Sequence, residues 1–305
     1  MQNAADTFNP TLSGLSKDEW QGALAEIAGE RGHFEHLGKR HFAAHVEQGD
    51  TLLVTFETVQ GMRALSEDAI PMGWNMVRRH GWSHLCIGSD GDTWFRDPAV
   101  YAYFDRLIDD GFFDAYETVV FYGAGPCGYA AAAYSVASPG ARVLAIQPQA
   151  TLDVRVTDWD DRFVDMRRTD FSSRYGFAPD MLDAAAQAHV VYDPRETLDA
   201  MHAALFTRGN VQKLRTRHLG DAIQTHMINM DLIQPLLEQT AAGTLGTRSF
   251  AMLWRARRDY PPYLRAVLSA LDIDKRTLLI RALCVNVTGR ITAPRFARKL
   301  KELDN

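Results

Sequence analysis

The 305-residue sequence predicts an α/β protein: a three-layer, mostly parallel sheet with helices on both faces, followed by an all-helical C-terminal extension. Three observations carry this. Short apolar, β-branched runs at 52–56, 118–122, 142–146 and 189–192 alternate with helix-length stretches, the pattern of an open parallel sheet. One such run, ending Val119-Val120-Phe121-Tyr122, meets Gly123-Ala124-Gly125 and passes at once into the small-residue stretch Gly128-Tyr129-Ala130-Ala131. That is strand, sharp turn and helix with no loop between them. Beyond Ala242-Gly243 and Gly246 the strand-like runs stop and only helical patterns remain.

The elements follow in order. Ser16 with Glu19 three residues on has the form of a capping box and starts a helix over 16–30. Residues 32–39 are interrupted by glycines and histidines and read as a linker. Residues 40–47 and 51–56 flank Gln48-Gly49-Asp50, the spacing of two strands joined by a tight turn as an antiparallel pair. Glycines and prolines make 57–79 mostly loop with short helical turns. A strand at 84–88 and a helix at 99–111 lead to the central turn. A strand at 142–146 closes on Gln147-Pro148-Gln149, and an Asp/Arg-rich segment covers 153–175. Then come a short helix at 180–187, the strand 189–192, a helix at 198–206, a weaker strand at 211–215 and a long helix at 221–239. The organisation expected is an N-terminal helix and linker (1–39), an α/β body (40–240) and a basic helical C-terminal extension (241–305) with helical pieces near 247–259, 261–271, 274–284 and 293–303.

Composition narrows the function classes. A net charge of -5 carries no nucleic-acid signature, and no apolar run has the length of a membrane span. The three cysteines, Cys86, Cys127 and Cys284, are far apart and form no CxxC pair, which fits a reducing cytosol. No HExxH, clustered Cys/His set or Walker-type lysine occurs, so neither a metal nor another cofactor is expected.

The central segment, Gly123-Ala124-Gly125-Pro126-Cys127-Gly128-Tyr129-Ala130, resembles the nucleophile elbow of the α/β-hydrolase superfamily in its G-x-S-x-G-G-Y-A-A form. The resemblance extends over roughly residues 40–240 and implies that fold. It also implies a nucleophile at the turn, an acid at Asp193 after a later strand, and a histidine at His218 after the next. The nucleophile position holds Gly125. The next residue, Pro126, has no N–H to offer an oxyanion hole. The reading is therefore a non-hydrolytic, degenerate branch, binding a polar small molecule, glycan or protein partner in the cleft above the sheet. One alternative moves the chemistry to Cys127, as a hydrolase or acyltransferase using Cys127, His218 and Asp193; a buried structural cysteine is the other reading of that residue. A second follows from the G-x-G-x-x-G string Gly123, Gly125 and Gly128, which would serve a nucleotide- or dinucleotide-binding oxidoreductase. However, the next strand ends in Gln147-Pro148-Gln149, with no ribose-binding acid.

Candidate ligand-binding residues are Gly125 at the turn, Gln147 and Gln149 at a strand end, Trp94 as a stacking surface, and Arg162 in the Asp/Arg-rich segment. The tail from 247 onward holds thirteen Arg or Lys against five acids. It reads either as a solvated face packed on the acidic body or as a contact for an anion or acidic protein partner. Oligomeric state is not legible.

Overall fold

In the computed structural model, which describes residues 8–304, eight strands form one sheet. They are β1 (Gly32–Leu37), β2 (His41–Val46), β3 (Thr51–Thr58), β4 (Ser83–Ser89), β5 (Thr118–Ala124), β6 (Arg142–Ile146), β7 (Gln187–Tyr192) and β8 (Val211–Arg215). Their order across the sheet is β1-β2-β4-β3-β5-β6-β7-β8. The pairs β1–β2 and β2–β4 are antiparallel, and every pair from β4–β3 to β7–β8 is parallel. Both faces are covered, as a parallel sheet requires. The chain is a mostly parallel eight-stranded sheet flanked by helices, followed by a C-terminal helical extension.

Fourteen α-helices occur among the described residues. Up to the central turn they are α1 (Lys17–Arg31), α2 (Val59–Leu65), α3 (Trp74–His80) and α4 (Pro98–Asp109). From the turn to the end of the sheet they are α5 (Pro126–Tyr134), α6 (Val154–Thr157), α7 (Ala178–Met181), α8 (Thr197–Leu205), α9 (Ile223–Asn229) and α10 (Ile233–Ala241). The extension holds α11 (Thr247–Leu253), α12 (Pro261–Ile273), α13 (Thr277–Thr288) and α14 (Pro294–Asp304). None among the described residues is long and apolar enough to cross a membrane.

Strand β3 shows how one sequence serves two layers. Its side chains alternate between faces. Leu52, Val54 and Phe56 join the core beneath α4 and α5. Leu53 joins the core on the other face, with Ile223 of α9 and Leu236 of α10. Thr55 and Glu57 share the face of Leu53, so this interior strand carries a carboxyl toward the second layer at its C-terminal end.

Three expectations are corrected. Strands β2 and β3 are not a hairpin pair, because β4 lies between them: His45 pairs with Leu85, and Val54 pairs with Leu85 from the other side. The turn is nevertheless real and is clamped by β4. Ser83 Oγ accepts from the Gln48 and Gly49 N–H groups at 2.9 and 3.1 Å and donates to the Gly49 carbonyl at 2.7 Å. Residues 32–37, expected as linker, are the edge strand β1, whose polar and half-exposed side chains hide the apolar alternation of a strand. The single helix expected over 221–239 is two, α9 and α10, broken where Asp231 takes a φ of 55°.

The Ser16 cap holds as expected. Glu19 N–H donates to Ser16 Oγ at 3.4 Å, and Ser16 N–H donates to Glu19 Oε2 at 3.0 Å. In the extension, α12 to α14 have their own small core of Leu264, Leu268, Ile280, Cys284, Val287 and Phe296. Arg257, part of the basic tail, is not a free cation. It lies over the rings of Trp254 and Tyr263 and donates to the Trp254 carbonyl.

Candidate functional site

The strand β5 to helix α5 turn is sharp, with only Gly125 between the two elements. Gly125 has φ 57° and ψ −126°, a region that an L-residue enters only under strain. Its N–H donates to the Ile146 carbonyl of β6 at 2.8 Å, which pins the turn to the sheet. The two flanking glycines are fixed by backbone packing. A Cβ at Gly123 would lie 2.1 Å from the Cys127 carbonyl oxygen, and one at Gly128 would lie 2.9 Å from the Ile146 carbonyl oxygen. At Gly125 an added Cβ meets no heavy atom within 4 Å. The tip is therefore open above and strained below. Pro126 occupies the first position of α5, where a missing N–H costs the helix nothing.

The helix behind the turn is buried all round, from Cys127 to Tyr134. Its run of four alanines lets it sit close against β3, β5 and β6, the strands it contacts most. Tyr134 donates from its hydroxyl to the Phe95 carbonyl at 2.6 Å, and Tyr129 donates to the Tyr175 carbonyl. The helix is anchored to loops on both sides.

A cleft of about 700 Å³ opens beside this turn, at the C-terminal ends of β3 and β5. Ala124, Pro126 and Cys127 form one wall, α2 and α3 a second, and α9 and α10 a third. Apolar side chains such as Met62, Ile70, Met76 and Leu237 alternate with carboxylates: Glu57, Glu67, Asp68, Asp92 and Asp231.

Glu57 is the buried member of that set, only 8% exposed. The Met72 N–H donates to both of its oxygens at 3.0 and 3.1 Å, and Thr55 Oγ1 donates to Oε1 at 2.6 Å. Burial pushes its pKa up from 4.5 to about 7, against the pull of these donors. Behind Thr55 stands His84, with Nε2 at 2.8 Å from the same hydroxyl. A hydroxyl that donates to Glu57 accepts from His84, so the ring carries its hydrogen on Nε2. Burial, then the charge of His45, drives the His84 pKa down to about 3, so the ring is neutral. The result is a continuous chain, His84 to Thr55 to Glu57, running from the core to the cleft.

Reasoning from sequence missed Glu57. A signal was present: an acid directly after five strand residues, Leu52 to Phe56, at the ligand-facing end of an interior strand.

Cys127 lines the cleft, but His218 and Asp193 do not. Asp193 is fully buried, and its carboxylate accepts from the Arg195 N–H and the Gly220 N–H, both at 2.9 Å. It thereby holds the loop in which His218 takes a φ of 71°. His218 feels the Asp193 charge, but burial and then Arg195 dominate and lower its pKa. Among the described residues no hydrogen bond joins His218 to Asp193 or to Cys127. Burial, then the negative charges of Glu57 and Asp92, push the Cys127 thiol far above its ordinary value. It is the protonated thiol at neutral pH.

The polar residues expected to face a ligand are satisfied by the protein itself. Gln147 donates to Asp199 Oδ2 at 2.9 Å and accepts from the Ile223 N–H at 3.1 Å. Gln149 accepts from the Trp94 indole N–H at 3.0 Å, and Trp94 is 2% exposed and packs edge-on against Phe163. Arg162 forks onto Asp160 and reaches Asp199 at 2.7 Å. Asp160 also accepts from His202 Nε2 at 2.9 Å, while His202 Nδ1 accepts from the Ala150 N–H at 3.1 Å, which fixes a neutral ring. These four residues form a strut between the Asp/Arg-rich segment and α8. We expect Arg162→Ala to destabilise the protein by about 2 kcal/mol in urea unfolding, since it leaves two buried carboxylates unpaired but was itself partly exposed. A change under about 0.5 kcal/mol would show the cluster to be ordinary surface.

No protein-family model matches the chain, and no curated protein does. Among solved structures the chain is similar to an esterase of Pyrobaculum calidifontis, at 16% identity over 79% of this chain and 93% of that one, with a TM-score of 0.43. It is similar also to brefeldin A esterase, a bacterial homologue of human hormone sensitive lipase, at 15% identity over 80% and 85%, TM-score 0.40. A third likeness is to the capsule O-acetyltransferase of Neisseria meningitidis serogroup A, at 11% identity over 66% and 94%, TM-score 0.41.

Proposed function

We propose that the protein is a non-hydrolytic α/β-hydrolase-fold protein that binds a small molecule with a polar head and an apolar body in the cleft beside Gly125. The observation that carries this is the elbow tip: glycine stands where a nucleophile would act, and proline follows it. The strained backbone of the device is kept while both of its chemical groups are absent. The cleft lined by Ala124, Pro126 and Cys127, which flank Gly125, is then room for a ligand. Its enclosure by three walls favours a small molecule over a protein partner.

Relocation of the chemistry to Cys127 finds less support. A thiol with a raised pKa, flanked by Glu57 and Asp92 and without a hydrogen bond to His218, lacks the activation that a cysteine nucleophile needs. The Gly123–Gly128 string is accounted for by close backbone packing, which leaves no demand for a pyrophosphate to explain it.

The test compares wild type with Cys127→Ala. We expect both to hydrolyse p-nitrophenyl acetate at the same background rate, and iodoacetamide to label Cys127 only after unfolding in urea. An acetyl adduct on Cys127 by mass spectrometry, with turnover lost in Cys127→Ala, would establish the covalent mechanism instead.

A further inference from the structure

We propose that the ligand of the cleft carries a cationic nitrogen, an ammonium or guanidinium group, seated against Glu57. This rests on the reading of the cleft as a binding site and names the chemistry of its occupant.

The first argument is the balance of charge. Five carboxylates line the cleft against two arginines. Both arginines are already held: Arg78 reaches Asn75 Oδ1 at 2.6 Å and Asp68 at 3.7 Å, and Arg79 donates to Gln234. An anionic ligand would find no unoccupied cation there. It would meet the carboxylate field directly.

The second argument is the state of Glu57. Its partners are all neutral: the Met72 N–H, the Thr55 hydroxyl and, at 3.9 Å, the Cys86 thiol. Among the described residues it makes no ion pair. The titratable groups around it are His84 and Cys86 on β4, Tyr122 on β5, Cys127 on α5 and Asp92 at the cleft mouth. At neutral pH the first four are uncharged, so none of them supplies a countercharge. A buried carboxyl so placed is penalised when ionised. A cation entering from the cleft supplies the missing countercharge, and Met72 and Thr55 already hold the carboxylate in one orientation. Asp92, exposed at the mouth, adds attraction at longer range. Methionine and leucine side chains on the other walls suit an alkyl or aryl body attached to the nitrogen.

The geometry has a thermodynamic signature. With Glu57 titrating at about 7 in the empty cleft, a cation bound beside it expels roughly half a proton at pH 7.

Three probes of equal length test this: hexylamine, hexanol and hexanoate, each followed by thermal shift at pH 7. We expect saturating hexylamine to raise the melting temperature by roughly 2–4 °C and hexanoate not to raise it. Glu57→Gln and Glu57→Asp should lose the hexylamine shift while keeping the wild-type circular dichroism spectrum. Calorimetry of wild type with hexylamine in phosphate and in Tris should show a buffer-dependent enthalpy of the sign of proton release. Equal shifts with all three probes, or an unchanged hexylamine shift in Glu57→Gln, would overturn the cationic ligand while leaving the cleft a binding site. No shift with any probe would overturn both.

Discussion

Alanine at position 123 will cost the protein more than about 3 kcal/mol, while alanine at position 125 will cost about 1–3 kcal/mol. The two glycines lie two residues apart in one turn, yet they are required for different reasons. At Gly123 the added Cβ would sit 2.1 Å from the Cys127 carbonyl oxygen and 2.4 Å from its carbon. Those are backbone atoms of α5, a helix buried on every side, so nothing can move aside. The helix must shift off β5 and β6 or the strand must bend. At Gly125 the Cβ meets open space, and the only cost is the φ of 57°. Urea unfolding of Gly123→Ala and Gly125→Ala checks the order of the two effects. A Gly125→Ala variant less stable than Gly123→Ala would show that strain, not packing, governs the turn. Because Gly125 tolerates a side chain, its present occupant is not forced by space.

Replacing Glu57 by Gln will stabilise the protein by about 3 kcal/mol at pH 8 and change it little at pH 5. The sign follows from the direction of the shift. The folded-state pKa is raised, from 4.5 to about 7. As pH rises the unfolded chain gives up this proton first, so the folded state loses relative stability between those two values. Below pH 4.5 the contribution of the group is whole, and above pH 7 it is gone. Gln keeps the shape and an acceptor for the Met72 N–H, yet has no proton to lose. Wild type should therefore weaken from pH 5 to pH 8 while Glu57→Gln stays flat over that window, apart from slopes that both share. Parallel stability curves for the two proteins would mean that Glu57 is solvated through the cleft, and its burial would not be the source of any binding energy.

Much of the architecture is legible in the sequence. The strands β6 and β8 fall on residues 142–146 and 211–215 as read, the Ser16 cap stands where expected, and Gly123–Gly128 passes from strand through a sharp turn into helix. These features depend on residues close together in the chain: apolar periodicity, a cap three residues from its partner, glycines where a Cβ cannot fit. Strand order is less local. The tight turn at Gly49 marks a reversal, but β4, more than thirty residues on, takes the place between β2 and β3 through its own apolar faces.

The candidate site is less legible still, and Gln147, Gln149, Trp94 and Arg162 show why. Their side-chain chemistry suits a ligand, and their positions near strand ends or in a polar segment are right. Asp199, the Ile223 N–H and Asp160 reach them first. A polar group's availability is what remains after its neighbours have bonded to it, and those neighbours come from α8, α9 and distant loops. Glu57 is the converse. Nothing near it in sequence marks a carboxyl with a pKa of about 7. The shift comes from burial, which outweighs the pull of the Thr55, Met72 and Cys86 donors. The sequence by itself determined the strand, sharp turn and helix around Gly123–Gly128, because these are properties of contiguous residues. Only the tertiary structure decided which carboxyl faces the cleft without a cation, because desolvation is set by everything that packs around a group.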